Sequence, residues 1–381
     1  MTVTDDVIYL DHNATTPVAE QVLAAMLPYL TQAFGNPSSP HSLGRRAAEA
    51  VEVAREQVAA LIGAQPPEMV FTSGGTEANN LALRGVAAAA PPDRRRMVTS
   101  AVEHPAVVQP LAHLAAHGWD VTTVPVTTGG HLDVPELRAA MGSDVALATV
   151  MLAQNETGAL MPVAEVAAIA HAAGALVHTD AAQAVGKIVV DVDALGVDLL
   201  SIAGHKLYAP KGVGALFVRT GTPLTPVLRG AGQEHGLRPG TENVAGIVGL
   251  GAACALVREG LVVELARTAA LRDDLWRRLL SAIPGAVRLT PIRDALPNTL
   301  LVMLPDVAGW DVLDACPSVA TATGSACHSG VHTPSSAVLA LGVDPSAARG
   351  TLRLSLGRGT TQQHIDAAAR ALSAAYNGLV A

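Results

Sequence analysis

Little in this 381-residue chain is concentrated enough to hold a polyanion or a bilayer. There are 25 Lys and Arg against 33 Asp and Glu, a formal charge of −8, and no basic run is longer than Arg94–Arg96 in "DRRR". With so little positive charge, tight electrostatic binding to nucleic acid is not expected of the chain itself. Half of the residues are hydrophobic, alanine prominent among them. No stretch reads as the ~20 unbroken apolar residues of a membrane span, because His, Gly, Asp or Pro interrupts each run. The opening "MTVTDD" has neither a basic n-region nor an apolar h-region, so no export signal is expected. The three cysteines, Cys254, Cys316 and Cys327, cannot all pair, and no C-x-x-C occurs. The expectation is a soluble cytoplasmic protein with reduced thiols.

Internal repeats and low-complexity tails are missing as well, and what is present alternates. Short β-type runs, "MVTSAVE", "VTTVPV", "VALATVML", "ALVHTDAA", "DLLSIAG" and "GALFVR", are separated in several places by helical patterns. Their continuous apolar character predicts a mainly parallel sheet covered by helices on both faces, an α/β fold. The helix-spaced segment "HSLGRRAAEAVEVAREQVAALIG" stops at Gly63, a suitable C′ glycine. After about residue 260 the rhythm changes to a smaller α+β pattern, with a helix around "LRDDLWRRLLSAI", strands at "NTLLVML", "SVATATG" and "TLRLSLG", and a last helix near 361–378. At ~100–200 residues per domain, two are expected: a large one over 16–260, and a small one formed by 1–15 and 261–381.

Three stretches at the ends of predicted strands carry chemistry. In "FTSGGTEANNLAL" a strand end, two glycines and a helix start at Thr76 bring free backbone N–H groups and a helix dipole to one point. Gly75 permits close approach, the Thr76 hydroxyl adds a donor, and a phosphate fits there. The same stretch is equally a tight turn with a capping threonine. Neither G-K-[ST] nor G-x-G-x-x-G is present, so it is not a P-loop or a dinucleotide fingerprint. In "HTDAAQAVG", Asp180 sits where a strand runs out, where α/β sheets place ligands, and could pair with a protonated ring nitrogen or simply cap the next helix. In "GHKLYAPKG", Lys206 ends an apolar run. A desolvated lysine becomes a nucleophilic amine that condenses with aldehydes, although a lone lysine more often snorkels to solvent. One ligand satisfies all three stretches: a phosphate, a basic aromatic nitrogen and an aldehyde together describe pyridoxal 5'-phosphate.

Ten segments in order, "YLDHNATTP", "FGNPSSPHSLG", "TSGGTEANNLAL", "EHPAV", "NETG", "DAAQAVG", "GHKLYAPKGVGALFVR", "GQEHGLRPGTENVAGIVG", "GSAC" and "RLSLGR", span residues 9 to about 360. With them the chain resembles the cysteine desulfurases of the NifS/IscS type, fold-type I pyridoxal-phosphate enzymes of the class V aminotransferase group. The resemblance implies a large domain built on a mainly parallel, seven-stranded-type sheet and a smaller α+β domain. It implies that Lys206 is the Schiff-base lysine, Asp180 the partner of the pyridine nitrogen and Gln183 a contact of the ring hydroxyl. His104 would stack on the ring and help move protons. Gly75, Thr76 and His205 would hold the phosphate, with Thr241 reaching it from the second subunit of a homodimer. Asn155 would lie beside cofactor and substrate, and Arg353 would grip the α-carboxylate of L-cysteine. Two positions depart from the pattern: Ala203 stands where many relatives have serine, and His235 where many have arginine.

Cys327, in "ATGSACHSGVHTPSS", would accept the sulfur as a persulfide and pass it to an acceptor protein. The residues after it read as a loop closed by Thr333 and Pro334 as N-cap and first turn of a helix. Cys254 and Cys316 read as small buried hydrophobes. His328 and His332 lack structural-zinc spacing with Cys327, and no metal is expected. "GSAC" argues against an aminotransferase. A selenocysteine lyase is a second candidate activity. A non-catalytic sulfur-carrier scaffold is a third reading, which the intact Lys206, Asp180 and His104 disfavour. Iron–sulfur assembly, tRNA thiolation and DNA phosphorothioation are the candidate sulfur users. Chain length and composition suit the phosphorothioation (Dnd) branch, but no motif selects it.

Overall fold

The computed structural model describes residues 7–323, 327–328 and 331–381, and at Cys327, His328, Val331 and His332 it describes the backbone alone. A short strand β1 (Ile8–Tyr9) opens the described chain. Seven strands follow through the first two-thirds: β2 (Met69–Thr72), β3 (Arg96–Ser100), β4 (Asp120–Val124), β5 (Val145–Thr149), β6 (Leu176–Asp180), β7 (Leu199–Ala203) and β8 (Gly214–Val218). They form one sheet in the order β2-β8-β7-β6-β5-β3-β4. Only β8 runs against its neighbours, pairing antiparallel with both β2 and β7.

The unbroken apolar runs are explained by which face each residue serves. In β2, Met69 and Phe71 enter the core on one face of the sheet, and Val70 enters the core on the other. In β8, Ala215 and Phe217 take the first face and Leu216 the second. A strand buried on both sides has no polar alternation to show. The first core is closed by the helices Glu20–Thr31 and Ser42–Ile62, the latter ended by Gly63 in the left-handed region at φ 72°. The second is closed by Gly75–Ala89 and Pro105–Ala115.

The C-terminal third has its own core. Strands β9 (Val287–Arg288), β10 (Thr299–Met303) and, later, β14 (Thr351–Ser355) form an antiparallel sheet with β10 central. β11 (Val319–Ala320) pairs in parallel with β1. β12 (Cys327–His328) and β13 (Val331–His332) pair antiparallel, so the stretch read as a loop holds a two-residue ladder. Leu300, Val302, Leu352 and Leu354 pack with Ile365, Leu372 and Tyr376 of the last helix, Gln362–Val380, which starts from a Thr361 N-cap. Downstream of Cys327 the helix Ser336–Ala340 is capped by the Ser335 hydroxyl, not by Thr333, and Pro334 lies before the cap. Ser335 wins because its oxygen reaches the free N–H groups of Ala337 and Val338.

One helix, Val244–Ala282, serves both parts and runs unbroken through residue 260. Ile247, Leu250, Cys254 and Val257 belong to the sheet-side core, while Leu271, Leu275 and Leu279 belong to the C-terminal core. Contrary to the reading of interrupted runs, this helix is long and apolar enough to cross a membrane by length and composition. Its glycines supply the reason: Gly249 and Gly251 count as breaks in a hydropathy run, yet here they let other chain segments approach. A Cβ on Gly251 would lie 2.6 Å from Ala54 Cα, and one on Gly249 2.6 Å from Met26 Sδ. The apolar face is thus buried against the two N-terminal helices.

Candidate active site

The carboxyl ends of β2, β3, β5, β6 and β7 open on the same edge of the sheet, and each feeds residues into one cavity of about 280 Å³. β2 delivers Gly75, Thr76 and Asn79, β3 delivers His104, β5 Asn155, β6 Asp180 and Gln183, and β7 His205 and Lys206. Eight residues singled out from sequence therefore share one cavity, as expected for ligands at strand carboxyl ends.

Lys206 lies in a short 3-10 turn, Gly204–Lys206, directly after β7. Its Nζ donates to the carbonyls of Asn13 at 2.6 Å and Ala14 at 2.8 Å. Burial, helped by the Arg353 charge, brings its pKa down from the usual lysine value to about 8. Asp180 terminates β6 with both oxygens engaged: Asn79 Nδ2 donates to Oδ2 at 2.7 Å and the Ala182 N–H to Oδ1 at 2.9 Å. His104 caps the Pro105–Ala115 helix, its Nδ1 accepting from the Ala106 N–H at 3.0 Å, which leaves Nε2 to carry the ring proton. Burial lowers its pKa, as it does for His205, which falls to about 4 with Lys206 and other lysines adding to the effect. Both imidazoles are neutral at pH 7.

Arg353, on β14, does not line the cavity. Its guanidinium donates to Asp11 Oδ1 at 2.7 Å and to the Asn155 carbonyl at 3.2 Å, while Nε is buried without a partner. Thr241 is exposed and lines no part of its own chain's cavity. His235 is exposed with φ 58°, and its neighbour Glu234 is buried. Glu234 forms a two-point ion pair with Arg55 at 2.8 and 2.9 Å and accepts from the Phe71 N–H at 2.7 Å, which pins the 233–241 segment to β2. Ala203 is buried and lines the cavity. The Cys327 side chain lies outside the described residues.

Sequence patterns alone pass over several neighbours. Asn79 lies one turn of helix beyond Thr76, and its spacing is a usable signal. Glu103, next to His104, is buried; burial, with Asp180 adding to it, raises its pKa to about 8, so it is protonated at pH 7. Glu156 is pushed up to about 7 by burial. Asn13 lies inside "YLDHNATTP" and Lys187 directly after "DAAQAVG", but neither segment shows what its side chain meets, because Asn13's partners lie far off in the chain and Lys187 sits in a turn.

The chain matches the class V aminotransferase family over residues 8–368. It is 44% identical to a cysteine desulfurase of Nostoc sp. over 362 residues, covering 94% of this chain and 90% of the relative. With the cysteine desulfurase NifS of Azotobacter vinelandii the identity is 43% over the same shares. The chain is a class V aminotransferase-family cysteine desulfurase. Among solved structures, this desulfurase superposes on a NifS-like protein with a TM-score of 0.91 at 35% identity, covering 98% of this chain and 99% of the other. It also superposes on SspA in complex with cysteine (TM-score 0.82, 34% identity, 92% and 99% covered) and on DndA from Streptomyces lividans (0.76, 38%, 91% and 99%).

Proposed function

We propose that this cysteine desulfurase binds pyridoxal 5'-phosphate in the cavity of Lys206 and Asp180, converts L-cysteine to L-alanine there, and receives the sulfur on Cys327. The observation that carries the reading is the convergence on one cavity of a depressed-pKa lysine, a strand-end carboxylate and a glycine-led helix N-terminus. The residues present fit the cofactor. A Cβ on Gly75 would already lie 3.2 Å from Ala203 Cβ, so only a bare backbone leaves that corner open to a phosphate, and Asn79 Oδ1 is a buried acceptor without a partner on the cavity wall.

Bound there, the cofactor supplies an aldehyde that amines add to and a ring that takes up electron density from Cα. The chain's own groups do the rest. The neutral Lys206 amine removes the substrate Cα proton, and Asp180 keeps the ring nitrogen protonated, its carboxylate braced by Asn79. Gln183 would donate toward the ring hydroxyl, neutral His104 would cover the ring face, and Gly75, Thr76 and His205 would hold the phosphate. Arg353 takes the α-carboxylate by giving up Asp11. The Cys327 thiolate attacks the substrate sulfur: an S–S bond forms, the C–S bond breaks, and the electron pair returns to carbon, which is reprotonated. An acceptor protein then takes the sulfur from Cys327. Purified protein reconstituted with pyridoxal phosphate should turn yellow and form one alanine per sulfur released from L-cysteine. A protein that cannot be reconstituted, or that prefers selenocysteine and leaves cysteine untouched, overturns the reading.

The same reading makes the active unit a homodimer with composite sites, cytoplasmic in location. Thr241 is exposed and outside the cavity of its own chain, and the Glu20–Thr31 helix presents Leu23, Leu27 and Leu30 to solvent, with Phe34 just beyond at 68% exposure. An apolar stripe of this kind marks an association surface. Leu27→Glu combined with Leu30→Glu should shift the sedimenting species from dimer to monomer and remove most activity. A wild-type monomer, fully active at assay concentration, contradicts the proposal.

A further inference from the structure

Lys187 lies in the turn after β6, and nothing in the reaction above uses it. Its Nζ donates to Gln183 Oε1 at 2.6 Å and to Asn13 Oδ1 at 3.0 Å. Gln183 Nε2 in turn donates to the Asn13 carbonyl at 2.9 Å, the same oxygen that receives Lys206. These bonds join four residues in one network, of which Gln183 and Lys206 line the cavity. Asn13 anchors the network to the C-terminal part through Asn298, Thr299 and Ser355.

An amide offers an acceptor at one end and two N–H donors at the other, and its orientation follows from its partners. A main-chain carbonyl only accepts, so the Gln183 atom facing Asn13 O must be nitrogen. Oε1 then points the other way, in a residue 6% exposed, and Lys187 is its only hydrogen-bond donor among the described residues. We infer that Lys187 is a positioning residue: it satisfies Gln183 Oε1 from below and so holds the second Gln183 N–H toward the cofactor pocket. No carboxylate pairs with Lys187 among the described residues. Burial, then the charges of Lys206 and Arg353, hold its pKa well below the usual lysine range, and with or without its proton the amine has an N–H for each of its two acceptors.

Without Lys187 the buried Oε1 has no donor, the bond to the Asn13 carbonyl alone holds the amide, and the second Gln183 N–H is no longer fixed toward the cavity. The inference rests on the cofactor reading, and the test separates the two. The dissociation constant of pyridoxal phosphate and the visible absorbance maximum are measured for wild type, Lys187→Met, Gln183→Leu and the double variant, with apo-protein melting as a folding control. Lys187→Met should bind about tenfold more weakly, the loss of roughly one buried hydrogen bond, and shift the absorbance as Gln183→Leu does. The double variant should match Gln183→Leu alone, because Lys187 acts through that amide. If the two losses multiply, or Lys187→Met binds as wild type does, the inference is wrong. Should Lys187→Met fail to fold, Lys187→Gln still brings an N–H to Oε1 and should keep near-wild-type affinity; a loss equal to that of Gln183→Leu overturns the inference. A wild type that takes up no cofactor strikes the cofactor reading instead.

Discussion

Lys206→Ala should give a folded protein that is colourless after dialysis against an amine and forms alanine from L-cysteine at least about 10³-fold more slowly than wild type. The magnitude follows from what is lost: a positioned general base alone is worth roughly 10²–10⁴-fold, and Lys206 is also the covalent anchor. Any stability loss should stay within about 1–3 kcal/mol, since of the two carbonyls that lose the amine, that of Asn13 keeps Gln183 and only that of Ala14 is left to find another donor. The wild-type amine offers a second readout. Only the unprotonated form captures an aldehyde, and with a pKa of about 8 the capture rate of apo-protein should rise about tenfold per pH unit below that value and level off above it. An unhindered lysine would keep gaining to about pH 10.5. Stopped-flow mixing of apo-protein with pyridoxal phosphate from about pH 6 to 10 separates the cases, and a rate still climbing at the upper end refutes the buried, free-amine Lys206.

Cys327→Ser should fold, take up the cofactor and change its spectrum when L-cysteine is added, yet release almost no alanine or sulfur. Proton removal at Cα needs Lys206 only, whereas sulfur leaves as a persulfide only if a second nucleophile takes it. A serine hydroxyl has the shape of the thiol but little nucleophilicity toward sulfur at neutral pH. Cys254 and Cys316 cannot substitute. Both are buried, and burial raises their pKa, so neither presents a thiolate. Mass spectrometry of wild-type protein quenched during turnover should find one added sulfur on the peptide containing Cys327. Sulfur on either buried cysteine, or wild-type turnover by Cys327→Ser, shows the acceptor to be another residue.

The parts of this protein legible in its sequence are those whose physics is local. Doubly buried strands announce themselves as short apolar runs, and Gly63 marks a helix end through its own backbone freedom. Gly75, Thr76, Asp180 and Lys206 are legible because each follows a strand end within a few positions, whereas His104, Asn155, Gln183 and His205 are implied only by the family resemblance. The Val244–Ala282 helix was read only from its second half. Its first half is glycine-broken and its middle exposes Val262 and Val263, so no single apolar face runs its length. The network around Asn13 is invisible for a different reason. Asn13 contacts Lys206, Thr299 and Ser355, partners separated from it by 193, 286 and 342 positions, and no spacing rule reaches that far. Arg353 was found, but its resting partner Asp11 was not, although the pair joins the first and last motifs of the chain.

That continuous helix also sets how this chain can change in evolution. Each residue added to an α-helix turns everything beyond it by about 100° and advances it by about 1.5 Å. A one-residue insertion between Val257 and Leu271 would swing the leucines of the C-terminal core away from β10 and β14 while the sheet-side contacts stayed put. The identity of the exposed residues there is nearly free, but their number is fixed. Drift in this stretch should therefore appear as substitutions without gaps, and length variation should collect in surface turns that carry no phase between the two cores.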